Sequence, residues 1–184
     1  MYENRIEKSD ILKKEIDSCR PIKGSLLKQI REYYRIGLTY SSNAIEGNSL
    51  TETETKIVLE DGITIGGKPL RDHYEAVGHS QAYDLLLKLS KERKITEENV
   101  LDLHRLFFYH IDRKNAGRYR KTRVIITGSR YIPPSPEKIS ELMKKFIEEL
   151  PSIKKANHPI EYSALLHKEF VGIHPFIDGN GRIA

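Results

Sequence analysis

A single cysteine, Cys19, is all that 184 residues provide, so no intramolecular disulfide can staple this chain, and a reducing, cytoplasmic setting is the compartment that fits. No apolar run approaches the roughly 20 residues that a membrane-spanning helix requires. The first five residues lead into charge rather than an apolar stretch, so no secretory signal is read there. No segment repeats and none is of low complexity. The formal charge is +5, but the lysines and arginines are spread without a long block; a solvated surface is favoured over a nucleic-acid footprint, and direct nucleic-acid binding is not expected. These absences exclude a disulfide scaffold, a membrane-spanning protein and a repeat array. What remains, with 38% hydrophobic and 31% charged residues, is a globular chain long enough for one cored domain and a helical extension.

The apolar pattern is mostly helical. Leu27, Ile30, Tyr34, Leu38, Ser41 and Ile45 recur at steps of three and four, which predicts one helix face, with Gly47 and Asn48 as stop residues. Thr51 and Glu54 form a capping box for a short helix to about Glu60. Tyr74, Val77, Gly78, Ala82, Leu85 and Leu89 make a second stripe. Thr96 caps a helix carrying Val100, Leu103 and Phe107. Ser135-Pro136 opens another with Ile139, Leu142, Phe146 and Leu150 inward. His158-Pro159 opens a last one, with Ile160, Ala164, His167 and Val171 on one side and Gly172 as its end. His167 therefore reads as a core histidine. One stretch departs from this rule. Arg123–Thr127 is β-branched, Gly128-Ser129 follows, and Arg130–Ile132 runs into Pro133-Pro134; this predicts one short β-hairpin. The fold class is all-α with that hairpin. A region of residues 1–70 precedes a core of residues 71–184.

Chemistry concentrates in His174-Pro175-Phe176-Ile177-Asp178-Gly179-Asn180-Gly181-Arg182. An imidazole can accept a proton near neutral pH. A carboxylate four residues on can hold a hard cation. The Gly-Asn-Gly turn exposes bare backbone to an anion, and an arginine can fork onto phosphate oxygens. Phe176 is the natural buried anchor, and a helix is expected to begin near Arg182, its N–H groups facing an anion. His167, His174 and Asp178 are too irregularly spaced for a compact helical metal site, and His73, His79, His104, His110 and His158 have no constellation around them.

The run resembles the signature of the Fic (Fido) family, His-x-Phe-x-Asp/Glu-Gly-Asn-Gly-Arg-x-x-Arg, and matches it from His174 to Arg182. The resemblance implies a mainly helical Fic fold and a protein adenylylyltransferase that moves AMP from ATP to a Tyr, Thr or Ser hydroxyl of a target protein. It assigns His174 as general base and Asp178 as the Mg²⁺ ligand. Gly179, Asn180, Gly181 and Arg182 would hold ATP phosphates. The hairpin would be the flap, with Ile125, Ile126, Thr127, Gly128 and Ser129 docking the target by strand addition; Gly117-Arg118-Tyr119-Arg120 is similar to the family's usual approach to it. Gly181 stands where the related Doc proteins, which phosphorylate, commonly carry lysine, and so favours AMP transfer.

Ser41–Asn48 is similar to a second Fic pattern, the inhibitory Ser/Thr-x-x-x-Glu-Gly/Asn placed ahead of the core, at Ser42, Glu46 and Gly47. Glu46 is expected in the last turn of its helix, at the unfavourable end of the dipole. In such proteins that glutamate reaches into the ATP site and pairs with the second signature arginine. Here that arginine would be the residue after Ala184, so the sequence reads as ending inside the signature, and the 184-residue chain is expected to transfer AMP weakly or not at all. The resemblance leaves two other readings open: a hydrolase that removes AMP through the same site, and a non-enzymatic ATP-binding or DNA-linked module. Self-modification and a homo-oligomer are compatible with it.

Overall fold

The computed structural model describes residues 3–92 and 94–184. Two compact units divide the chain, one reaching Arg35 and the other spanning Ile36–Ala184. The first contains helix α1, Glu3–Ser18, and the beginning of α2, Gly24–Ile45. On α1, Ile11, Leu12 and Ile16 are exposed.

The second unit carries the rest of α2, then α3 (Glu52–Glu60), α4 (Leu70–Leu89), α5 (Glu97–Phe108), a 3₁₀ turn (Pro136–Lys138), α6 (Ile139–Ala156), α7 (Pro159–Ile173) and the short α8 (Asn180–Ile183). Their starts follow from local chemistry. Thr51 accepts from the Glu54 N–H while Glu54 accepts from the Thr51 N–H, and Thr96 with Asn99 does the same for α5. His158 serves as the N-cap of α7, its Nδ1 accepting from the Ile160 N–H, with Pro159 in the first turn.

Packing is closest between α4 and α5. A Cβ placed on Gly78 would lie 2.2 Å from the Phe107 carbonyl oxygen, so only glycine lets these backbones meet. One core cluster joins Val100, Ile139, Met143, Phe146, Leu150, Phe170 and Phe176. A second joins Ala82, Phe107, Phe108 and Ala116. Fully burying an aromatic such as Phe176 stabilises the fold by about 2–3 kcal/mol, and that ring lies in the loop of greatest chemical interest.

Three predicted features differ. On α2 the buried side is Ile36, Thr39 and Asn43, while Tyr34, Leu38 and Ile45 are exposed; the polar pair is drawn inward by a hydrogen bond between Thr39 and His79 Nδ1 and by one from the Asn43 amide to the Thr39 carbonyl. On α7, Phe170 is buried with Leu166, Tyr162 and Ile173 packed against the core, whereas Ala164 and His167 are exposed. The large aromatic outweighed the weaker stripe, and His167 is not a core histidine. Gly172 lies inside α7; His174 ends the helix by taking a left-handed backbone, φ 51° and ψ 58°.

Among the described residues no strand forms. Residues 123–134 keep the expected turn: the Ser129 N–H donates to the Ile126 carbonyl at 3.1 Å, and Gly128 supplies φ 78°. The two arms make no ladder. An isolated two-stranded ribbon is marginal in water, and Pro133 and Pro134 have no N–H to give.

Candidate active site

His174 leaves α7 with its backbone already turned. Pro175 disfavours another right-handed residue before it, and a left-handed non-glycine residue carries a strain of about 1–2 kcal/mol. Several bonds hold this conformation. The His174 N–H donates to the Phe170 carbonyl at 3.0 Å, and the Arg120 N–H donates to the Pro175 carbonyl at 2.9 Å. Arg120 Nε donates to the His174 carbonyl at 2.8 Å. The side chain's Nδ1 lies 3.3 Å from the Val171 carbonyl. A carbonyl only accepts, so Nδ1 carries the proton and Nε2 keeps its lone pair. Burial, and after it the Arg120 guanidinium, hold the imidazole below its ordinary pKa; the Val171 carbonyl, Asp178 and Glu46 act in the opposite direction. At neutral pH it is an uncharged proton acceptor.

The loop beyond it is packed rather than free. Phe176 is fully buried. Asn180 is 2% exposed, its Oδ1 accepting from the Phe176 N–H and its Nδ2 donating to the Phe176 carbonyl. This amide is spent on closing the loop and does not face an open phosphate seat, which departs from the role the sequence suggested. Gly179 takes φ 79° over the Phe107 ring, where a Cβ would come within 2.7 Å. The helix begins at Asn180, two residues earlier than expected.

Arg182 is also differently placed. Its side chain is 4% exposed, its Nη1 donates to Glu75 Oε1 at 2.9 Å, its Nη2 to Asp178 Oδ1 at 3.1 Å, and its guanidinium lies 4.7 Å from the Phe107 ring centroid. It braces the site from below. Asp178 is half-buried. Besides Arg182 it accepts from the Gly179 N–H at 2.6 Å and, through Oδ2, from Arg71 at 2.6 Å. Burial would raise its pKa, but Arg182, the Gly179 N–H and Arg71 together hold it below the usual carboxylate range. It is an ionised carboxylate. Among the described residues no group of three His, Cys, Asp or Glu side chains gathers around a cation seat.

Glu46 comes to the same place from the other end of the sequence. It lies just past the end of α2 rather than in its last turn. Gly47 follows at φ 90°. Asn48 then donates to the Asp72 carbonyl and to Glu75, and Ser49 gives Asp72 two hydrogen bonds, from its N–H at 2.7 Å and its hydroxyl at 2.6 Å. Pinned this way to the start of α4, the turn sets Glu46 Oε1 2.7 Å from where a Cβ on Gly181 would be. The carboxylate rests on the bare Gly181, directly over the turn expected to meet phosphate. Ser42 stands one helical turn earlier, half-buried.

Four residues to which sequence reasoning gave no part in the site hold this arrangement, among them His104, which was expected to have no constellation around it. Arg120, 4% exposed, donates to the carbonyls of His174, Thr122 (2.9 Å) and Pro134 (2.7 Å), joining the His174 loop to both feet of the 123–134 segment. Tyr131 adds a bond from its hydroxyl to the Gly172 carbonyl at 2.8 Å. His104 is fully buried, stacked on Phe176 at 3.7 Å and 3°. Its Nδ1 accepts from the Gly117 N–H and its Nε2 donates to the Asp178 carbonyl; burial, first among the causes, pushes its pKa down to about 4. Glu75 accepts from Arg71, Asn48 and Arg182, tying the Glu46 turn to the signature loop. The only sequence signals were the Gly-Arg-Tyr-Arg run and an Arg71–Glu75 pair at i, i+4, and neither says where the side chains arrive.

The residues brought together are thus His174, Asp178, the Gly179–Gly181 turn, Arg182 and Glu46, with the 123–134 segment fastened alongside. A Fic/DOC family model matches residues 94–184. Protein adenylyltransferase Fic of Drosophila melanogaster is 34% identical over 182 residues, 98% of this chain and 36% of the relative. The protein of the same name from Nematostella vectensis is 39% identical over 148 residues, 79% of this chain and 34% of the relative. Among solved structures, a Fic domain containing signaling protein from Bacteroides thetaiotaomicron VPI-5482 superimposes with TM-score 0.83 at 32% identity, covering 97% of this chain and 68% of that one. Fic-1 (residues 134–508) from C. elegans gives 0.78 at 36% identity, covering 91% and 50%. The chain belongs to the Fic/DOC family. It spans about a third of the length of the curated relatives it matches.

Proposed function

We propose that the protein containing this chain transfers AMP from ATP to a hydroxyl of a protein, and that Glu46 restrains the transfer. His174 takes the proton of the target hydroxyl on Nε2; the freed oxygen attacks the α-phosphorus in line and pyrophosphate leaves. The tautomer fixed by the Val171 carbonyl and the depressed basicity favour this role over storage of a charge. Asp178 is the residue for Mg²⁺. One ionised, partly exposed carboxylate is a fitting donor, because Mg²⁺ is commonly held by one or two carboxylates with phosphate oxygens; Arg71 must release Oδ2 for it. When bound, the ion would neutralise charge on the phosphate oxygens. Gly179 and Gly181 keep the backbone bare toward the phosphates, while Asn180 and Arg182 fix the turn from behind. The 123–134 segment, with Ile125–Ser129 at its tip, holds the target in extended form. Cytoplasmic residence and self-modification belong to the same reading.

The observation that carries the restraint is Glu46 on Gly181. A carboxylate against an anion cradle opposes a phosphate in the same seat by charge and by volume. The test is mass spectrometry of the full-length protein after ATP and Mg²⁺. Glu46→Gly is expected to raise adenylate adducts on protein, and His174→Ala to abolish them. An unchanged yield with Glu46→Gly sinks the restraint; adducts surviving His174→Ala sink the reaction.

A further inference from the structure

The cations of this chain form no long block, but one stretch of it has cations and no carboxylate. Between Asp112 and Glu137 the sequence holds seven lysines and arginines and no aspartate or glutamate. That interval contains the whole segment fastened beside His174. Arg120 is buried as the brace described above, and Arg113 lies over the Tyr109 ring. Lys121, Arg123 and Arg130 are exposed on the segment itself, and Arg118 just before it. Among the described residues none of these four joins an ion pair. Arg123, with Arg120, acts on Glu137, whose carboxyl is held low first by its own backbone N–H and the Ser135 hydroxyl, then by these two guanidinium groups.

Apolar side chains stand between the cations. Ile125 is 91% exposed, Ile132 85% and Tyr131 51%. Residues 123–125 form no ladder, and unlike the Ile126 carbonyl, which the turn uses, their main-chain groups remain for an added strand. A phosphate-backbone partner would be served by cations alone. Exposed apolar groups set among cations instead match an extended peptide that carries both apolar and acidic side chains.

We infer that the 121–132 segment selects acidic target proteins, taking the modified hydroxyl from an extended stretch that carries aspartate or glutamate among apolar residues. Lys121, Arg123 and Arg130 choose the charge; Ile125 and Ile132 take the apolar side chains; the open backbone sets the register. The inference names the substrate class for the transfer proposed above and rests on that reading.

The test uses two fluorescent peptides built on alternating valine, each with a central Tyr, Thr and Ser, one with glutamate at the intervening positions and the other with lysine. Binding is read by anisotropy to the full-length protein, in wild-type and Glu46→Gly forms, and transfer by mass spectrometry. The glutamate peptide is expected to bind about tenfold more tightly or better, with a preference that shrinks as salt is added. The double variant Arg123→Glu, Arg130→Glu should invert the preference, an outcome that misfolding cannot imitate. Equal binding, or a preference for lysine in the wild type, overturns the inference. So does single-stranded RNA binding more tightly than the glutamate peptide and losing that binding in the double variant. If the peptide preference appears but no peptide or self adduct forms in either background, the acidic docking surface stands and the proposed reaction falls.

Discussion

Arg120 Nε bonds the carbonyl of His174 at 2.8 Å, and the two other nitrogens of the same guanidinium bond the carbonyls of Thr122 and Pro134. One buried side chain therefore fixes the left-handed exit of α7 and the spacing of the segment beside it. An error in its position is passed to the His174 loop and to the 123–134 segment together. On the proposed function, Arg120 acts by positioning, since all three guanidinium nitrogens are spent on main-chain carbonyls.

Arg120→Lys keeps the charge but cannot reproduce three bonds in a plane. In the full-length protein it is expected to lower kcat for AMP transfer by about 10- to 100-fold, the loss typical of a slightly misplaced reacting group, with KM for ATP nearly unchanged. An equal rise in KM for ATP with constant kcat would contradict the positioning role. Arg120→Ala removes a cation that depresses the His174 pKa, so an NMR titration of that imidazole should move upward.

Glu46 acts on the same imidazole in the opposite sense. Its carboxylate favours the protonated ring. Glu46→Gln is therefore expected to lower the His174 titration midpoint further below its ordinary value, by the same NMR measurement. No movement would mean that Glu46 does not stay near the site in solution.

His104 and His79 are both pushed down to about 4, burial being the main cause in each and Arg182 adding to it. Their folded values lie below the unfolded one, so the stability they contribute is complete above the unfolded pKa near ~6.5 and is lost as pH falls toward 4. Urea unfolding at pH 7 and pH 5 should show a loss on the order of 1–2 kcal/mol per histidine. His104→Phe should flatten that slope; an equally steep slope would assign the pH dependence elsewhere.

Gly78→Ala places a methyl group 2.2 Å from the Phe107 carbonyl. Backbone cannot step aside as a flexible side chain would, so α4 and α5 must separate. A loss of about 2–3 kcal/mol is expected in urea unfolding. A change below ~0.5 kcal/mol would show that the two helices are not held as described.

The helices, their starts and the site loop were legible because they depend on neighbours in sequence. Thr51 with Glu54, Thr96 with Asn99, and His158 with Pro159 act within one turn of chain, and nine consecutive residues from His174 carry the family's chemistry. The faces of α2 and α7 were less legible, since an apolar stripe says that a face exists but not which residue fills a given hole. Phe170 buried itself where Ile160 and His167 were expected to point inward. The roles of Asn180 and Arg182 were read from residue type, and type does not say whether an amide or a guanidinium faces a ligand or locks the loop behind it.

The sequence by itself determined the helical class, the caps, the turn at Gly128 and the grouping of His174, Asp178 and the two glycines, because each is set by interactions a few residues long. Only the tertiary structure decided that Glu46 lies on Gly181, that Arg182 is paired with Glu75, that His104 stacks under Phe176, and that Arg120 joins the His174 loop to the 123–134 segment. Those contacts join residues tens of positions apart or more, and their partners are chosen by how α4, α5 and α7 pack, which no local pattern encodes.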